Sequence, residues 1–111
     1  MMQEKTIYLS FDLGLRGDYN GLYAWLDKYK ARECGSGLAV LDYPKSDSNF
    51  LDLLSAELAQ EVSFDKADRL YVIWREKDTN KLKGKFLRGT RKSEPWSGFA
   101  SLSSVVEDVE K

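Results

Sequence analysis

An α+β fold, an antiparallel sheet with two helices packed on one of its faces, is expected of these 111 residues. Three observations point to it. Residues 6–13 alternate apolar and polar with the two-residue period of a half-covered strand. Two later segments carry apolar residues at helical spacing, and further strand-like runs lie between and after them. The order is strand, helix, strand, strand, helix, strand, strand.

In the first strand Ile7, Leu9, Phe11 and Leu13 fall on one face, and Tyr8, Ser10 and Asp12 fall on the other. Gly14 and Gly17 then signal a turn. Asp18 is placed to cap a helix over DYNGLYAWLDKYK that ends near Ala31, with Leu22, Trp25, Leu26 and Tyr29 as its apolar stripe. Gly21 inside it costs roughly 1 kcal/mol relative to alanine, offset by packing of the aromatics around it. Gly35-Ser36-Gly37 predicts a turn joining a short strand at Ala31–Cys34 to a second at Leu38–Tyr43. Pro44 closes that strand. The next helix, NFLDLLSAELAQEV, has Asp47 or Ser48 as its cap and Leu51, Leu54, Leu58 and Val62 as its stripe. RLYVIWRE is a continuous apolar run of the kind found in central strands. After Lys77-Asp78-Thr79-Asn80, KLKGKFLRG predicts a hairpin strand. Ser104 and Glu107 fit a capping box for a short last helix.

This order is the split βαβ pattern of a ferredoxin-like βαββαβ sandwich, extended by a C-terminal hairpin strand and a short helix. A single domain spanning 1–111 is expected, with its core at 6–89 and a C-terminal extension at 90–111.

Composition narrows the chemistry. The chain has no histidine and one cysteine, Cys34. Imidazole-based triads, imidazole zinc ligands and thiolate clusters are therefore excluded. Cys34 has no partner for an internal disulfide, and an arginine near it, Arg32, has no accompanying base to make it a nucleophile. No run approaches the ~18 apolar residues of a membrane span, and no basic start or cleavage site of a secretory signal is present. A cytoplasmic protein that makes no membrane contact is expected. The net charge of −1 hides an asymmetry: Lys81, Lys83, Lys85, Arg88, Arg91 and Lys92 form a run without an acid, while Asp42–Asp68 holds seven acids against two lysines.

Several short motifs resemble the SinR-like family, which groups with the VapD-type ribonucleases and the smaller subunit of the CRISPR adaptation complex. They are Phe11-Asp12-Leu13 closing the first strand, Arg16, and Asp18-Tyr19-x-x-Leu22-Tyr23-x-x-Leu26. Gly35-Ser36 before a strand and Asp65-x-x-Asp68-Arg69-Leu70 opening the next complete the set. The similarity covers roughly residues 6–76. It departs in Phe11, where a tyrosine is usual, and has no counterpart after Gly89. What the resemblance implies is a ferredoxin-like homodimer whose first-strand aspartate, here Asp12, lies near the dimer axis and serves a divalent metal or RNA cleavage.

Two groups of residues emerge as candidate sites. Asp12 at a strand end before Gly14 is a turn-former bonding local amides, or else a ligand to Mg2+ or Mn2+. Magnesium keeps several waters and takes one or two carboxylates, so one aspartate from each protomer suffices for a metal-dependent endoribonuclease. The basic run, Lys81, Lys83, Lys85, Arg88, Arg91 and Lys92, either protects an edge strand from aggregation or contacts the phosphates of RNA or DNA, with Trp96 nearby for stacking. Tyr8, Tyr71 and Trp74 divide between the two sheet faces and are expected in the core or a dimer interface. The functions open at this point are a homodimeric nucleic-acid-binding protein or ribonuclease, and a non-catalytic protein–protein interaction module.

Overall fold

Within residues 4–101, which the computed structural model describes, the chain runs β1 (Lys5–Asp12), α1 (Tyr19–Lys28), β2 (Arg32–Gly35), β3 (Leu38–Tyr43), α2 (Phe50–Glu61), β4 (Arg69–Arg75) and β5 (Leu82–Arg88). A 3-10 turn follows at Phe99–Ser101. The strands form one antiparallel sheet in the order β2-β3-β1-β4-β5. The α+β class, the antiparallel sheet and the two helices are as expected. The short helix expected at Ser104–Glu107 lies outside the described residues.

Alternation along the strands decides which face is covered. Ile7 and Leu9 of β1, Ala39, Leu41 and Tyr43 of β3, and Leu70, Val72 and Trp74 of β4 are buried. They form one core with Leu22, Trp25 and Leu26 of α1 and Phe50, Leu54 and Leu58 of α2. Both helices therefore serve the same face. β4, a continuous apolar run, is fully buried on one face only: Tyr71 and Ile73 are half-buried, because no helix covers their side.

Helix α1 begins as predicted. Asp18 Oδ1 accepts from the Gly21 amide at 2.9 Å, and its Oδ2 accepts from the Ser63 amide at 2.9 Å. The amides of Ser63 and then Gly21 hold the Asp18 carboxyl below its ordinary range. This pair of hydrogen bonds explains Gly21 better than compensation by aromatics does. A Cβ there would press on the Glu61 carbonyl and the Asp18 carboxylate, so glycine lets α1 meet the end of α2. The helix also stops earlier than Ala31, at the Tyr29 cap, with Lys30 in the left-handed region at φ 55°.

Helix α2 departs from the reading in two places. Its cap is Asn49, whose side chain bonds nothing in the helix, because a backbone turn from the Phe50 amide to the Asp47 carbonyl (2.9 Å) already leads into it. Phe50 rather than Leu51 occupies the buried stripe, stacking edge-on to Trp74 at 5.4 Å. The same helix supplies Glu57, whose carboxylate accepts from Trp25 Nε1 (3.1 Å), Tyr43 Oη (2.9 Å) and Tyr29 Oη. Lys28 stands 3.8 Å away. Burial pushes the Glu57 pKa up, but the hydrogen bonds from Tyr29, Tyr43 and Trp25 outweigh it and leave the net shift downward. Burial, then the bonds to Glu57, raise both tyrosines. One carboxylate thus joins α1, α2 and β3.

Candidate nucleic-acid interface

Residues paired across an antiparallel ladder point to the same face. Tyr8, Ser10 and Asp12 of β1 therefore share the uncovered face with their partners Ile73, Tyr71 and Arg69 of β4. Ile73 and Tyr71 in turn pair with Gly84 and Phe86 of β5. The face is apolar at its middle and charged at one end.

At the charged end, Arg69 Nη2 donates to Asp12 Oδ2 at 3.0 Å. The aspartate side chain stays 63% exposed, the arginine 28%. Beside them the Tyr71 and Phe86 rings meet edge to face, centroids 4.7 Å apart. The Arg91 guanidinium, from the segment after β5, lies 5.8 Å from the Tyr71 centroid and 5.5 Å from that of Phe86. Together with Ser10 these residues enclose a cavity of about 250 Å3.

The surrounding backbone holds this end in place. Asp68, 1% exposed, accepts from the Gly14 amide (2.7 Å) and the Asp65 amide (2.8 Å). It thereby ties the turn after Asp12 to the turn before Arg69. Gly84 makes room for Tyr71, since a Cβ there would overlap the phenol ring. Among the described residues, Arg69 Nε is the one buried side-chain nitrogen or oxygen without a hydrogen-bond partner. A larger hollow of about 650 Å3 lies around Lys5, Arg75 and Glu76, with no aromatic ring in its lining.

The basic run is divided by the sheet. Lys83 and Lys85 pair with Trp74 and Val72, so they stand on the helix side, exposed beyond the helices' cover. A register shift beside Leu70 and Tyr71 then sends Arg88 to that side as well, its guanidinium 4.5 Å from the Phe64 ring. Lys81 precedes the strand, its carbonyl accepting from the Glu76 amide at 2.7 Å. Arg91 alone of the six joins Asp12 at the cavity; Lys92 follows it in an exposed loop. β5 is an edge strand, as the lysines suggested. Trp96 is exposed and lines no part of the cavity. Trp74 is core, while Tyr8 and Tyr71 remain on the uncovered face.

The sequence pattern alone does not join Arg69, Tyr71, Phe86 and Ser10 to Asp12 as one site. The usable signal was the length of β1 and β4: aligned antiparallel from Asp12 and Arg69, they bring all but Phe86 together. The motifs of the resemblance contain Asp12 and Arg69, but as separate segments.

The cavity suits a hard divalent cation poorly. Such ions take oxygen ligands, whereas here Asp12 faces one guanidinium and a second lines the same cavity. Among the described residues no three Asp, Glu or Cys side chains gather into a metal-binding group. No helix there is long and apolar enough to cross a membrane. Comparison with family models, curated proteins and solved structures finds no match for this chain.

Proposed function

We propose that this chain is a ferredoxin-like module that binds single-stranded nucleic acid, RNA foremost, on its uncovered sheet face. The strand order β2-β3-β1-β4, with helices after β1 and β3, supports the ferredoxin-like reading. One observation carries the binding reading: the Arg91 guanidinium laid over the Tyr71–Phe86 ring pair, beside Arg69, on an open sheet. Unpaired bases stack on aromatic rings and guanidinium planes, and cations beside them neutralise the backbone.

Fluorescence anisotropy with a labelled ten-nucleotide uridine strand tests it. Wild-type protein binds at low salt, and Phe86→Ala or Arg91→Ala weakens binding about tenfold, the loss of one stacking partner. No binding at low salt, or variants that bind as wild type does, would overturn the reading. Cleavage of that RNA with Mg2+ or Mn2+, lost in Asp12→Asn, would instead return Asp12 to catalysis.

A second reading rests on the middle of the same face. Tyr8 is 42% exposed there, next to half-buried Val40 and Ile73, an apolar surface suited to a second copy of the chain or another protein. It describes a non-catalytic interaction module, and a homodimer is its simplest form. Light scattering that gives a dimer mass at micromolar protein, reduced to monomer by Tyr8→Lys, favours it.

A further inference from the structure

We infer that the cavity between β1, β4 and β5 reads one base of the bound strand and that the base is guanine. This rests on the nucleic-acid reading of the same face and adds a specificity to it. The cavity presents two kinds of polar group side by side. The Asp12 carboxylate can accept about four hydrogen bonds, and among the described residues it receives one, from Arg69. Its side chain is 63% exposed, so the remaining acceptor sites are open.

Donors come from Arg91, whose guanidinium carries five N–H groups in a planar fork. Its contacts among the described residues are the two ring faces, which use none of those N–H groups as hydrogen-bond donors to oxygen. Tyr71 and Phe86 supply apolar walls. The volume, about 250 Å3, holds a base with part of its sugar and falls below the range for drug-sized ligands.

The bases differ in how they fill such a site. Uracil offers one donor between two carbonyls, and cytosine and adenine each offer one amino group. Guanine alone sets two adjacent donors, N1–H and the 2-amino group, on one edge and two adjacent acceptors, O6 and N7, on another. The first pair bonds a carboxylate bidentately, and the second pair bonds an arginine bidentately. Asp12 and Arg91 at one cavity match that pattern.

The experiment uses ten-nucleotide uridine strands with a single central substitution, measured by anisotropy on the full chain. The guanosine strand should bind about tenfold tighter than the all-uridine, adenosine or cytidine strands. Inosine, which lacks the 2-amino group, and 7-deazaguanosine, which lacks N7, should each lose part of that gain. These two probes test the contacts on the unaltered protein. Asp12→Asn should remove the guanosine preference, with its melting temperature checked alongside. Equal binding of all strands overturns the guanine assignment and leaves nucleic-acid binding standing. A preference that survives Asp12→Asn overturns it too. Failure of every strand to bind at low salt overturns both.

Discussion

Gly84 separates binding from stability at a single atom. A methyl group there meets the Tyr71 phenol, so Tyr71 must swing away from Phe86 and from beneath Arg91. Alanine also favours an ordered strand over the unfolded chain by roughly 0.5–1 kcal/mol relative to glycine, and this offsets the crowding of a half-buried ring. Gly84→Ala is therefore expected to leave the melting temperature within a few degrees of wild type while weakening RNA binding about as much as Phe86→Ala. Thermal melts and anisotropy on the same preparation check it. Residue by residue, Asp12 was legible as a candidate because a carboxylate closed an alternating strand. Arg69 was not legible as its partner, since 57 positions separate them and only the strand register brings them together.

At the scale of elements, the Glu57 cluster is the joint between α1, α2 and β3. Glu57→Leu leaves the buried Trp25 indole N–H and Tyr43 hydroxyl without an acceptor, at about 1–3 kcal/mol for each. Urea denaturation should accordingly show a loss of about 3 kcal/mol. The pH dependence follows from the direction of the shift. The folded-state pKa lies below the ordinary 4.5, so Glu57 contributes stability above that pH and the contribution fades as pH falls through the lowered folded value. Glu57→Gln, which keeps an acceptor oxygen, should cost less at pH 7 and flatten the acid limb of stability against pH. An unchanged acid limb would mean other carboxylates carry it. Among the described residues, periodicity and turn signals together placed the two helices and the five strands within a few residues. Periodicity missed this joint because a glutamate on an amphipathic helix is expected at the solvated margin, and nothing in its own segment shows the Trp25, Tyr29 and Tyr43 donors that meet it. It also put Leu51 where Phe50 packs, because the two adjacent residues are equally apolar and only the position of Trp74 chooses between them.

For the whole molecule, the division of the basic run between two faces turns a qualitative expectation into a slope. If all six cations met phosphates, the logarithm of affinity would fall by about 4 per decade of salt, whereas Arg91 and Lys92 alone give about 1.4. The shallower slope is expected for wild-type protein, and changing Lys83, Lys85 and Arg88 together to glutamine should leave it nearly unaltered. A steep slope that the triple variant flattens would mean that RNA passes around the β5 edge to the helix side. The layout of the sheet has a further consequence, for the order of events during synthesis. β1 is made first but lies in the middle, between β3 and β4. One of its flanks stays unpaired until β4 has been translated, and the contacts that close it span most of the chain, which makes folding slow for a domain of this length. Until Arg69 emerges, a nascent chain exposes one side of its central strand to any extended peptide nearby. A ribosome stalled before β4 would present that strand as a seed for aggregation.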